Sequence, residues 1–228
     1  MERTVAGTRT RSTTRAGLTR PKVLAAALEL VDREGVERLS MRRLGSALGV
    51  EAMTLYHYLP NKAALLDGLV ELVVSAVRPG EPSGPPPGWQ EGLRAFATAL
   101  RAELLRHPAV IPLVATRPVH SAAALAVVEE TAQRLVRAGF TPLLALRLVN
   151  AVATTVTGHC LAEAASTPVH PEESAGPAPD LTGLPVLGAA AAAGLGTPED
   201  HQARFALLLD ALLDGLTGHC RSEELPSP

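Results

Sequence analysis

Apolar positions recur at helical spacing from residue 19 almost to the end of the chain, and no segment alternates with period two, so the pattern predicts helices throughout and no sheet. In the first stretch Val23, Ala27 and Leu30 share one stripe and Leu24, Leu28 and Val31 the next. Thr19 is placed to cap the start, Pro21 sits in the first turn and Gly35 ends it. Ser40 is the N-cap expected for a helix over residues 41–48, in which Leu44 and Leu48 face inward and Gly49 supplies a left-handed stop. A third helix, 52–58, follows after a few residues; Pro60 and Asn61 interrupt the chain, and Asn61 caps a longer helix carrying Leu65, Leu66, Leu69, Val70 and Val73. Two short helices joined by a tight turn near Gly49 have the proportions of a helix-turn-helix, whose second helix is the size of the B-DNA major groove.

Residues 79–88 (PGEPSGPPPG) cannot propagate a helix and mark a domain boundary or inter-helix linker. Beyond them the pattern predicts helices over 89–107, 109–116, 119–138, 141–165, 185–194 and 198–219. Residues 166–180, rich in Pro, Glu, Ser and Gly, read as a mobile loop. The expected fold class is all-α.

Charge changes this picture. The chain of 228 residues carries a formal −2, yet residues 1–62 hold 11 Lys/Arg against 6 Asp/Glu, net +5, and residues 63–228 hold 10 against 17, net −7. A cationic head on an anionic body suits a first part that meets a polyanion. Six of the bases (Arg3, Arg9, Arg11, Arg15, Arg20, Lys22) lie in the first 22 residues, so a solvated basic tail explains the excess equally well. Only 3 % of the chain is aromatic, which leaves Ala, Leu and Val to fill the core. Two cysteines cannot make a disulfide framework, and neither a cleavable signal peptide nor an uninterrupted apolar run of bilayer length stands out, so a reduced, cytoplasmic protein with no membrane partner is expected. No nucleophile elbow, phosphate-binding glycine loop or carboxylate pair suggests an enzyme. Thr157-Gly158-His159-Cys160 recurs as Thr217-Gly218-His219-Cys220, but adjacent His and Cys on a helix point about 100° apart. The expectation is no metal and no cofactor.

Leu39-Ser40-Met41-Arg42-Arg43-Leu44, Leu48-Gly49-Val50, Thr54-Leu55-Tyr56-His57-Tyr58 and Asn61-Lys62-Ala63-Ala64-Leu65-Leu66 strongly resemble the DNA-binding head of the TetR family of transcriptional repressors, over about residues 19–70. The resemblance implies a flexible basic arm (1–18), a three-helix helix-turn-helix DNA-binding domain (19–66) and a larger helical regulatory and dimerisation domain (67–228). It assigns Arg42 to a guanine edge, the commonest specific base contact, with a solvated helix charge as the plainer role. Thr54 and Tyr56 become hydroxyls that hold phosphate, and Ser40 approaches the backbone at its helix start. His57 is either a groove-facing contact or a half-buried imidazole. Lys62, beside the Asn61 cap, joins the free N–H groups of its helix on one phosphate. Ala52 and Met53 stand where the tetracycline repressor carries polar and proline residues, so they offer at most apolar contact with a thymine methyl, which implies a different operator.

From Trp89-Gln90 through Thr116-Arg117-Pro118, Ala138-Gly139-Phe140 and Gly158 the chain resembles the tetracycline-repressor type of regulatory domain. That resemblance implies a small-molecule pocket and a dimer. Phe96 stands in place of an asparagine, Leu100 of a phenylalanine and Leu113 of the metal-coordinating histidine, which disfavours a magnesium–tetracycline chelate. The expected effector is a mainly apolar organic molecule bound by Phe96, Leu100, Leu113, Thr116, Asn150 and Thr154, with His159 in reach. The stripe Phe205, Leu208, Leu209, Leu212, Leu213 and Leu216 is expected to pair with its symmetry mate in a homodimer. The expected function is repression at a palindromic double-stranded DNA operator, relieved by the effector. The alternative is a DNA-binding dimer whose body takes no ligand.

Overall fold

The computed structural model describes residues 17–80, 88–166 and 180–223, the side chains of 166 and 217–223 excepted. Residues 1–16 of the basic arm, 81–87 of the linker and 167–179 of the expected loop lie outside it, as do the side chains of the second Thr-Gly-His-Cys sequence.

Four helices form the head. Helix α1 (Arg20–Glu34) opens with Lys22 N–H donating to the Thr19 side chain and ends at Gly35, φ 81°. A 3-10 turn (Val36–Arg38) leads to α2 (Met41–Leu48), where Arg43 N–H donates to Ser40 Oγ and Gly49 closes the helix at φ 67°, ψ 28°. Next come α3 (Ala52–Leu55) and α4 (Lys62–Ala76), the latter capped by Asn61, whose side chain accepts from Ala64 N–H at 2.8 Å. Leu24, Leu30, Leu39, Leu44, Leu55, Leu59, Leu65 and Leu69 are all buried. At about 2 kcal/mol for each such side chain, this packing rather than helix propensity holds the short helices. The third helix is shorter than expected: after Leu55 the backbone continues as a turn in which Leu59 N–H reaches Leu55 O at 2.9 Å, which buries Leu59 just before Pro60.

The body comprises α5 (Trp89–Arg106), a 3-10 turn (Pro108–Val110), α6 (Ile111–Thr116), α7 (Ala122–Arg137), α8 (Pro142–Ser166), α9 (Pro185–Ala192) and α10 (Pro198–Glu223). No strand occurs among the described residues. Helix α7 starts later than the apolar pattern predicts because Ser121 caps it, accepting from Ala124 N–H at 3.3 Å. Helix α8 packs on α5, α6 and α7, with Ala145, Leu148, Val149, Val152 and Val156 buried. Over Pro142–Ala165 it is long and apolar enough, by length and composition alone, to cross a membrane; Arg147, Asn150, His159 and Glu163 are among the residues that break its apolar run.

Head and body share one hydrophobic core, which runs from α1 through Leu69 and Val73 to Leu93, Leu104 and Leu148. The 66/67 division expected from sequence therefore falls inside a continuous helix, and α4 is a rod held at both ends. Leu65 and Leu69 belong to the shared core, whereas Val70 and Val74 meet Ala124 of α7.

The expected dimer stripe needs correction. Phe205, Leu209 and Leu213 are buried in the protomer's own core, and Leu212 and Leu216 pack partly against it. Only Leu208 of the stripe is exposed, beside Leu207 at 72 %. The reason is the register of α10: the i, i+4, i+8 row lies against α5 and α8, so the outer face carries a different set of residues.

Candidate functional site

The α2–α3 corner depends on a close backbone approach. An added Cβ at Gly45 would stand 2.9 Å from Val50 O and 3.2 Å from Ala52 N, so only glycine lets the turn fold back onto α2. Val50 N–H then donates to Gly45 O at 2.9 Å and fixes the entry to α3.

This corner exposes Arg42, Met53 (73 %), Tyr56, His57 and Lys62. Arg43 is held by Glu34, whereas no carboxylate among the described residues pairs with Arg42, whose guanidinium remains available to a base edge. Ser40 is half-buried, and its hydroxyl is occupied as the cap of α2. Ala52 is half-buried against the head core. Thr54 is the least exposed of the expected contacts, at 9 %, beside the buried Leu55.

Behind α4 lies a cavity of about 640 Å³, within the range of about 300–1,000 Å³ usual for small-molecule sites. Phe96 and Leu100 of α5, Val74 and Val77 at the end of α4, and Asn150 and Thr154 of α8 contribute to its walls. Four expected pocket residues, Phe96, Leu100, Asn150 and Thr154, are thus brought together. Three are not. Leu113 packs into the core between α4 and α7, Thr116 Oγ1 turns back to donate to Pro112 O at 2.8 Å, and His159 lies on another side of α8, against the Phe205 ring at 5.5 Å. Arg117, missed as a site residue, lines the cavity instead. Its Nη1 reaches Asp67 Oδ1 of α4 at 2.5 Å and Ala63 O at 3.5 Å. A second tie joins head and body where His107 Nδ1 donates to Asp32 Oδ2 of α1 at 2.8 Å.

The comparisons with known proteins bear on both halves. The family model described as "Bacterial regulatory proteins, tetR family" matches residues 23–69, and "Tetracyclin repressor-like, C-terminal domain" matches residues 81–219. The chain belongs to the TetR family. An HTH-type transcriptional regulator of Saccharopolyspora erythraea is 39 % identical over 152 residues, 67 % of this chain and 64 % of that protein, so the match spans somewhat less than two thirds of the relative's length. Among solved structures, a possible TetR family transcriptional regulator from Streptomyces coelicolor A3(2) aligns with TM-score 0.72 at 32 % identity, covering 87 % of this chain and 98 % of the other. The Streptomyces coelicolor TetR family protein ActR in complex with actinorhodin aligns with TM-score 0.72 at 27 % identity, covering 90 % and 99 %.

This TetR family transcriptional regulator, a DNA-binding helix-turn-helix protein, also carries a buried polar cluster that sequence reasoning did not find. Arg101 of α5 forms a bidentate pair with Glu163 of α8 at 2.7 and 2.9 Å, and its guanidinium lies 5.0 Å from the Phe205 ring centre. Arg204 donates to His201 Nδ1 at 2.6 Å, while His201 Nε2 and His159 Nε2 are buried without a hydrogen bond. Burial pushes the Cys160 thiol up to about 12. Burial also holds the His159 imidazole below its usual 6.5; Glu163 opposes this, and Arg101 and Arg204 reinforce it. The folded value is the lower one, so the unfolded chain takes up a proton first as pH falls. The contribution is complete above 6.5 and is lost on acidification from there towards the folded value. Urea midpoints measured between about pH 7.5 and about pH 5.5 are expected to fall more steeply for the wild type than for His159→Gln. Parallel profiles would remove this histidine from the acid response.

Proposed function

We propose that the protein is a repressor that binds a palindromic double-stranded DNA operator as a homodimer in the cytoplasm and is released by a mainly apolar small molecule. The observation that carries the effector half is the 640 Å³ apolar cavity built partly from Val74 and Val77, at one end of the helix whose other end, at Asn61 and Lys62, belongs to the DNA-binding head. A ligand that favours one placement of the cavity walls then favours one setting of α4, and hence one separation of two heads. A preference of about 10⁴-fold between settings inverts a 99:1 population. The actinorhodin bound to ActR supports an organic effector. Exposed Leu143 and Leu161 on α8 and Leu207 and Leu208 on α10 support self-association through those helices.

The DNA half is tested by two substitutions. Arg42→Ala is expected to cost about 1–3 kcal/mol on the operator and to broaden base preference at its position. Lys62→Ala is expected to weaken cognate and random DNA alike and to lower the salt slope by about 1. Fluorescence anisotropy on both DNAs at several salt concentrations separates the two, and equal losses on cognate and random DNA for Arg42→Ala would refute its reading role.

A further inference from the structure

The cavity walls are apolar or neutral with one exception: among the described residues that line it, Arg117 alone is charged, and no Asp or Glu faces it. Arg117 is half-buried, and its charge partner is Asp67 of α4, outside the cavity wall. That pair is short but single-pronged. One nitrogen of the guanidinium contacts one carboxylate oxygen, although the group has five N–H donors and can grip a carboxylate with two. Asp67 is 41 % exposed, so water can solvate its carboxylate if Arg117 turns away. Asn150 and Thr154 stand among the lining residues of α8 as neutral hydrogen-bonding groups.

We infer that the cavity takes an amphipathic organic anion whose acidic group draws the Arg117 guanidinium away from Asp67. This rests on the cavity being the effector site and adds the chemical class of the effector and the contact it breaks. An apolar chamber that would otherwise reject a negative charge accepts one at Arg117, and no lining carboxylate repels it. A neutral molecule of the same shape fills the chamber but has no hold on the ion pair that ties α6 to α4.

The test uses two fluorescent probes that share one ring system, 8-anilinonaphthalene-1-sulfonate and the uncharged N-phenyl-1-naphthylamine, titrated into the full chain. The sulfonate is expected to bind about tenfold more tightly than the neutral probe. Arg117→Met is expected to erase that difference by weakening the sulfonate alone, and Asp67→Asn to tighten the sulfonate alone, because its competitor is gone. Ala153→Trp, which fills the cavity, is expected to exclude both probes. A neutral probe that binds as well as the anion, or a preference for the anion that survives Arg117→Met, overturns the inference while leaving the cavity a ligand site. If neither probe responds to Ala153→Trp, the effector reading itself falls and this inference falls with it.

Discussion

Gly45→Ala is expected to destabilise the head by about 1–3 kcal/mol and to weaken DNA binding by at least about tenfold, although it adds one methyl group. The methyl would stand 2.9 Å from the backbone oxygen of Val50, and a backbone atom cannot rotate away as the end of a side chain can. The turn must open, and α3, which carries Met53 and is followed by Tyr56 and His57, leaves its register against α2. The same change at Gly188, in the interior of α9 with nothing within 4 Å of the added carbon, is expected to be neutral or to stabilise by up to about 1 kcal/mol. Urea unfolding and DNA titration of the two variants check this. Equal effects at both sites would mean that the close approach at Gly45 does not constrain the head.

The largest loss of stability is expected in the body, from Arg101→Met. Arg101 and Glu163 are 16 % and 13 % exposed, and removing the guanidinium leaves a carboxylate shut between α5 and α8, with His159 Nε2 at 3.5 Å. Breaking such a pair costs about 3 kcal/mol or more, which for a chain of this length lowers the melting temperature by roughly 10 °C. The guanidinium also loses its place by the Phe205 ring and its bond to Gln202 at 2.9 Å. Arg101→Met combined with Glu163→Leu is expected to recover most of the loss, because what costs is the orphaned charge rather than the missing bridge. Differential scanning calorimetry of the single and double variants decides it: a double variant no better than the single one would place the effect in packing.

Local chemistry was legible in the sequence wherever it is local. Thr19, Ser40 and Asn61 cap the helices they were expected to cap, and Gly49 adopts the left-handed backbone its position predicts, because capping is settled within about four residues. Inward and outward choices over longer distances were not. Periodicity identified the apolar row Phe205, Leu209 and Leu213 but could not say which surface covers it, since a partner chain and the protomer's own α5 and α8 impose the same spacing. Four pocket residues followed from family resemblance, whereas Leu113, Thr116 and His159 fell elsewhere because one residue along a helix rotates a side chain by about 100°. Arg117 stood in a quoted motif, yet its two-sided position, cavity on one side and Asp67 on the other, appears only once α4 and α6 are packed.

The central claim is that two copies of the basic head read a duplex together. Sequencing the fragments that the full chain retains from a random double-stranded DNA pool tests it most directly. The expected result is an enriched inverted repeat with half-sites about one helical turn apart, roughly 34–36 Å. Enrichment of a single unrepeated site, or no enrichment over the input pool, would contradict it.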